Sequence, residues 1–136
     1  MNFGAKALLA GKESEKLFKI FKEVIFLGYL INNKTKKISL VRGDTLKVRI
    51  EILNDGEIYT PQNGDTLRFA MKKDYSSSRV LINKSIPTDT LILHLKPEDT
   101  KKLAFGEYVY DIEITFANGD VDTFISGILN LKSEVV

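Results

Sequence analysis

Two acidic side chains on one predicted strand are the best-placed residues of this sequence for acid–base chemistry. Asp111 and Glu113 alternate with apolar residues, so both point to the same side of a strand, about 7 Å apart. Paired carboxylates at such a separation can carry out glycoside hydrolysis. His94 alternates with leucines in another predicted strand. Because catalytic acids need a cleft that shifts their pKa, and a flat sheet face offers none, we predict a solvated surface without catalytic residues.

The composition excludes several kinds of metal and cofactor site. The 136 residues include no cysteine and one histidine, which rules out disulfides, thiol nucleophiles, cysteine-bound zinc and sites with two imidazoles in one chain. No glycine-rich phosphate loop, zinc-protease helix or EF-hand spacing is present. The net charge of +2 is too small to indicate a nucleic-acid-binding protein. We therefore expect no cofactor, no metal site, no nucleic acid and no small-molecule substrate.

The tripeptide Arg42-Gly43-Asp44 is one that integrins bind when it is exposed at the tip of a loop. Here it lies between two predicted strands, and glycine and aspartate are ordinary turn residues. We interpret Gly43 as a structural residue that permits a kink between the strands.

Residues 1–36 are predicted to form an amphipathic helix and a linker. Over residues 13–27 the apolar side chains recur at helical spacing with lysines on the other side, Ser14 as the N-cap and Gly28 at the end. Such a helix can lie on an anionic membrane, touch nucleic acid or pack against protein. We favour packing on the same chain or on another subunit over membrane contact, because the apolar face is costly in water. The candidate interface residues are Phe18, Phe21, Ile25 and Phe26.

No segment has the features of a signal peptide or a membrane span. The apolar stretch at residues 24–31 is well short of the roughly 20 residues that cross a bilayer. The apolar patch at residues 7–10 is too short for a signal peptide and lacks a cleavage site. We expect a protein that is made in the cytoplasm and not secreted by a signal peptide.

From Lys37 onward the apolar period changes from about 3.6 to 2, which predicts strands with one buried face. Turns rich in Asn, Asp and Gly connect several of them, and Gly119 lies in the turn of a hairpin. Pro97 ends a strand and opens one helical turn. With no crossover helices, we predict an antiparallel β-sandwich of about seven strands over residues 37–136. The predicted strands are 38–41, 46–52, 67–71, 80–82, 91–95, 108–116 and 121–131, with residues 29–31 as a short strand or a docking arm and Gly127 as a bulge.

Two groups of residues in this region follow one another in a characteristic order. The run Arg42-Gly43-Asp44-Thr45 precedes a strand, an Asn-Asp-Gly turn and the run Thr66–Lys72. The second group consists of Leu103, Gly106, Tyr108, Tyr110, Ile112, Gly119, Thr123 and Gly127. Over roughly residues 37 to 132, this order and spacing resemble the N-terminal domain of phage upper-baseplate proteins. The resemblance implies an immunoglobulin-like sandwich that attaches fibre or receptor-binding parts to a phage tail.

A second resemblance, to the end of the E–F connection of immunoglobulin domains, involves residues 97–100 followed by 106–110. It implies a tyrosine corner, in which the Tyr108 hydroxyl donates to an upstream backbone group and fixes the bend. Tyr110 stands where antibody domains have their second cysteine, so apolar packing alone must hold the core. The residues with predicted structural roles are Gly43, Tyr108, Tyr110 and Gly119.

These features predict a non-enzymatic phage or prophage virion protein of the tail or baseplate. Its expected partners are other virion proteins, which it contacts through the helix or through strand edges. A homo-oligomer is expected because tail rings have closed symmetry.

Two alternatives remain open at this point. A bacterial immunoglobulin-like module would recognise a surface carbohydrate or protein, with Tyr59, Asn63 and Tyr75 as contacts, although such a role calls for an export signal. A small hydrolase would rest on the carboxylates and His94, but no motif brings a nucleophile, a base and an orienting group together.

Overall fold

The protein is described by a computed structural model that covers residues 3–9 and 29–133. Strands make up most of this part of the chain, as the period-2 pattern predicts. They are β1 (Phe3–Leu9), β2 (Tyr29–Ile31), β3 (Ile38–Val41), β4 (Leu46–Asn54), β5 (Glu57–Ile58), β6 (Thr66–Lys72), β7 (Ile82–Ile86), β8 (Ile92–Leu95), β9 (Gly106–Thr115) and β10 (Val121–Lys132). A single helical turn, α1 (Pro97–Thr100), lies between β8 and β9.

Six strands form the large sheet, in the order β2-β3-β10-β9-β6-β7. Neighbouring strands are antiparallel except β3 and β10, which are parallel and place Leu131 beside Leu40. This pair departs from the antiparallel prediction. Parallel strands need a long connection, and the six strands from β4 to β9 lie between β3 and β10 in the chain.

The small sheet is built around β4. Along one edge β4 pairs with β1, from Phe3 beside Asn54 to Leu9 beside Val48. β8 and β5 also pair with β4, near its start and its end respectively. Because a strand has only two edges, β8 and β5 follow one another along the second edge, and four strands occupy three positions.

One apolar core lies between the two sheets. Buried and more exposed residues alternate along β4, β6 and β9, which confirms the predicted buried faces. The buried side chains of both sheets form a single cluster, in which Phe69 stacks on Tyr110 with ring centroids 5.4 Å apart. Fully burying one such side chain contributes about 1.5–3 kcal/mol, so apolar packing can hold the sheets without a disulfide.

The predicted turns also form. The β9–β10 hairpin turns at Gly119, whose φ of +95° favours glycine, and the Phe116 N–H donates to the Asp120 carbonyl at 2.7 Å. Pro97 opens α1, and the Lys96 N–H donates to Asp99 Oδ2 at 2.7 Å. Local turn chemistry was therefore readable in the sequence.

Several features differ from the predictions. The sequence pattern does not predict β1, which contains Gly and Ala, or the two-residue β5. The strand predicted at 80–82 lies at Ile82–Ile86, where polar residues interrupt the apolar run. The bulge lies between Thr123 and Ile125 and not at Gly127. The helix predicted over residues 13–27 falls outside the described residues.

Candidate interaction surfaces

The structure separates the side chains that hydrolysis would require. Asp111 and Glu113 lie on the outer face of the large sheet, and the Ser126 hydroxyl donates to Asp111 Oδ1 at 2.6 Å. His94 lies on the outer side of β8 in the small sheet, beside Lys47 of β4. The two sheets cover opposite sides of the core, so His94 and the carboxylates face away from each other. Within residues 3–9 and 29–133, no group of three or more His, Asp or Glu side chains could hold a metal ion.

The Arg42-Gly43-Asp44 turn is fastened to the segment between α1 and β9. Arg42 Nη1 donates to the Leu103 carbonyl at 3.1 Å, and its guanidinium lies 4.0 Å from the centre of the Phe105 ring. The N–H of Gly43, whose φ is +85°, donates to the buried Thr100 hydroxyl at 2.9 Å. Arg42 and Gly43 therefore make contacts within the fold. These contacts are in keeping with the structural role that we assign to Gly43 from sequence.

Tyr108 forms the expected corner at the start of β9. Its hydroxyl donates to the Ala104 carbonyl at 2.6 Å, and Lys73 Nζ lies 4.7 Å from the centre of its ring. Burial raises the pKa of Tyr108 above its ordinary value. The bond fixes the chain as it passes from α1 into β9.

Tyr110 of β9 and Gly127 of β10 lie side by side in the large sheet. The backbone of the β2–β3 connection packs against both residues. The Tyr110 hydroxyl donates to the Lys36 carbonyl. A Cβ placed on Gly127 would meet the Lys36 carbonyl oxygen at 2.5 Å and the Tyr110 hydroxyl at 3.0 Å. Gly127 is therefore needed for close approach of a backbone, which is the physical reason that the bulge interpretation was wrong.

Asp65 is a buried carboxylate that the sequence analysis did not single out. It is 7% exposed and accepts hydrogen bonds from the Tyr59 hydroxyl (2.6 Å), the Gln62 N–H (2.8 Å) and the Ala117 N–H (3.1 Å). Burial alone would raise the pKa of Asp65, but these bonds outweigh it and hold the pKa below its ordinary value. Burial and then Asp65 raise the pKa of Tyr59 to about 12. The cluster joins the loop before β6 to the β9–β10 turn.

The three residues proposed for a carbohydrate- or protein-binding module do not come together. Tyr59 and Asn63 precede β6 and Tyr75 follows it, and a seven-residue strand separates its two ends by about 20 Å. The Tyr59 hydroxyl is engaged with Asp65, and its ring packs edge-on against Phe116. Of the three, Tyr75 is the exposed aromatic residue, at 67%.

The two edges of the large sheet are poorly suited to pairing with another strand. On β7, Lys84 lies on the same face of the strand as the buried Ile82 and Ile86, which is the face that points toward the core. Its Nζ forms a 2.8 Å ion pair with Asp99. An inward-pointing charge at a sheet edge discourages addition of a further strand. At the opposite edge, β2 has three residues within the described part of the chain.

The outer face of the large sheet is the side of β6, β9 and β10 that points away from the core. Across it, Val109 lies beside Ile128 of β10 and Lys72 of β6, while Asp111 lies beside Ser126 and Ala70. Ile128 is 38% exposed, although solvated faces of antiparallel sheets are usually polar. A hollow of about 70 Å³ opens on this face, and it is lined by Ala70, Lys72, Tyr75, Val109, Tyr110 and Asp111.

The interface residues predicted on the N-terminal helix, Phe18, Phe21, Ile25 and Phe26, lie outside the described residues. In the part of the chain that the structure covers, no helix is long and apolar enough to cross a membrane.

These observations define a mostly β protein in which two sheets share one core and the large sheet presents a partly apolar outer face with a hollow. No protein-family model matches the chain, and no curated protein matches it either. Any assignment of function therefore depends on the residues and their geometry.

Proposed function

We propose that the protein is a non-enzymatic assembly module of a phage or prophage virion, in the tail or baseplate, with an immunoglobulin-like sandwich as its fold. It acts through contacts with other virion proteins and with copies of itself. No reaction step is part of this proposal, since complementary protein surfaces are sufficient for such a role.

The observation that carries the proposal is the contact between the two groups of residues behind the phage resemblance. Arg42 belongs to the first group and Leu103 to the second, and the Arg42 guanidinium donates to the Leu103 carbonyl. Gly43, also of the first group, donates to the hydroxyl of Thr100, which lies just before the second group in the chain. These contacts join the turn at Arg42 and Gly43 to the chain before β9, about 60 positions further on. This supports treating the pattern as the signature of one fold and not as a coincidence of short motifs.

The strand arrangement supports the immunoglobulin-like part of the proposal. β4 and β8 pair in the small sheet, while the intervening β6 and β7 lie in the large sheet beside β9 and β10. Immunoglobulin-like sandwiches divide their central strands in this crossed manner and carry a tyrosine corner at the start of the penultimate strand. Tyr108 occupies the corresponding place in β9.

The second candidate function is a bacterial immunoglobulin-like module that binds a surface carbohydrate or protein. The presence of Tyr75 and Asp111 in the lining of one hollow favours it, because ligand sites combine aromatic walls with a few polar or charged groups. The hollow is small for this purpose, since ligand sites usually measure about 300–1,000 Å³. We therefore place it second.

Complementation in the source phage or prophage tests the proposal against an enzymatic role. Deleting the gene is expected to leave particles with defective tails, visible by negative-stain electron microscopy, and wild-type protein supplied from a plasmid should restore them. His94→Ala and Glu113→Gln should restore tails equally well, because neither side chain contributes to the core. Normal tails without the gene would contradict the assembly role, and failure of folded His94→Ala or Glu113→Gln protein to complement would support an enzyme.

A further inference from the structure

The outer face of the large sheet combines apolar exposure with a preformed aromatic projection. Tyr75 stands on a turn in which Asp74 Oδ1 accepts hydrogen bonds from the Ser76 hydroxyl (2.7 Å) and the Ser77 N–H (2.9 Å). These bonds order the backbone from which the Tyr75 side chain projects, so a contact that buries the ring has little backbone entropy left to remove. Exposed tyrosines of this kind are frequent anchors of protein interfaces.

The size of the hollow indicates what it can receive. At about 70 Å³ it is far smaller than the usual site for a small ligand, which occupies about 300–1,000 Å³. A hollow of this size suits part of one protein side chain, and its walls include the half-buried Val109 and Ala70. The geometry therefore favours a protein anchor over a free metabolite.

The charged side chains around the hollow make this patch complementary to the same patch on a second copy. Lys72 lies beside Val109, and Asp111 lies beside Ala70, so the lysine and the carboxylate are diagonal neighbours on adjacent strands. Consider a two-fold axis that lies parallel to the sheet, midway between Lys72 and Asp111 and perpendicular to the line that joins them. It would place Lys72 of one copy opposite Asp111 of the other. A contact of this symmetry uses the same patch on both subunits.

The edges of the large sheet make a face contact more favourable than strand addition. β7 carries the inward Lys84 with its ion pair to Asp99, and β2 offers three residues among those that the structure describes. The outer face instead exposes Ile128 and Tyr75, at 38% and 67%. Covering these two side chains would remove apolar area from water, which is the main favourable term in association.

We propose that two copies of this chain associate face to face through the outer faces of their large sheets, with the Tyr75 ring of each copy covering the hollow of the other and Lys72 of each facing Asp111 of its partner. The contact deepens the proposed assembly role and rests on it. It differs from the helix and strand-edge contacts that the sequence predicts.

A charge-reversal experiment on the full chain tests this contact by sedimentation equilibrium. Wild-type protein is expected to dimerise, and Tyr75→Ala, Lys72→Glu and Asp111→Lys should each raise the dissociation constant by about tenfold or more. An equimolar mixture of Lys72→Glu and Asp111→Lys chains should form a heterodimer, because one contact is restored in reverse and the other is native. Lys102→Glu, an exposed reversal away from this face, is the matched control and should leave dimerisation unchanged.

Other outcomes would overturn the contact. Wild-type protein that stays monomeric up to about 1 mM, or association that the three substitutions leave unchanged, would contradict it. So would NMR shifts of Tyr75, Val109 and Asp111 that appear on adding monosaccharides but not on changing the protein concentration. Circular dichroism establishes that each variant is folded. Defective tails in the gene deletion together with a monomeric protein would remove this inference and leave the assembly role standing.

Discussion

Replacing Gly127 by alanine is expected to lower the free energy of unfolding by about 2–3 kcal/mol. The added Cβ would lie 2.5 Å from the Lys36 carbonyl oxygen, which is backbone and cannot rotate away as a flexible side chain could. Relief requires the β2–β3 connection to move, and this would also stretch the hydrogen bond from the Tyr110 hydroxyl to Lys36. Urea unfolding at neutral pH measures the change.

Thr123→Ala is the matched control for Gly127→Ala, because Thr123 lies on the same strand and is exposed. Its effect should stay within about 0.5 kcal/mol, as is usual for surface positions. If Gly127→Ala were equally mild, the close approach of Lys36 to β10 would be incorrect.

The second large effect is expected at Asp65. Asp65→Ala removes the acceptor of three hydrogen bonds and leaves the Tyr59 hydroxyl and the N–H groups of Gln62 and Ala117 without it. The expected loss at pH 7 is about 2–4 kcal/mol, since hydrogen bonds to a charged group contribute about 1.5–3 kcal/mol each and water can reach the exposed residues Gln62 and Ala117. Urea unfolding of the two proteins under identical conditions gives the difference directly.

The same carboxylate predicts a pH dependence of definite sign. The pKa of Asp65 is lower in the folded protein than its ordinary value, so the folded state binds the proton less readily than the unfolded state. Its stabilising contribution is therefore complete above the ordinary pKa of about 4 and is lost as the pH falls through the lower folded-state pKa. The stability gap between wild type and Asp65→Asn should shrink between pH 7 and pH 3.

Asp55→Asn serves as the control for this pH dependence, because Asp55 is an exposed turn residue whose positive φ asparagine tolerates. Its stability gap from wild type should not change in the same way. A gap for Asp65→Asn that widened on acidification would contradict the arrangement of donors around Asp65.

The parts of the fold that sequence predicts are those governed by local rules. Alternation along β4 and β9 follows from the two-residue period of a strand, and Gly119 from the demands of a tight hairpin turn. The corner at Tyr108 was expected from the resemblance to immunoglobulin domains, and its acceptor, Ala104, lies only four residues upstream. In each case cause and consequence lie within a few residues.

The missed features depend on groups that are distant in the chain. Asp65 receives a hydrogen bond from Ala117, which is 52 residues away, and Gly127 is constrained by the carbonyl of Lys36. The sequence of β1 alternates only weakly, and the strand pairs with an edge of β4, which lies much later in the chain. No local pattern contains this information.

The candidate interaction surface shows the same division. The alternation predicts that Asp111 lies on a strand face. The hollow beside Asp111 also depends on Tyr75, which follows β6 in the chain and lines the hollow together with residues of β6 and β9. The separation of His94 from the carboxylates could not be predicted either, because it depends on which sheet each strand joins. Both results come from the assignment of strands to sheets.

The assembly role is tested most directly by quantitative mass spectrometry of purified phage particles from the source strain. The protein is expected in intact particles and in isolated tails, at a fixed copy number relative to the major tail proteins. Particles that are fully assembled and infectious but contain none of it would contradict the account.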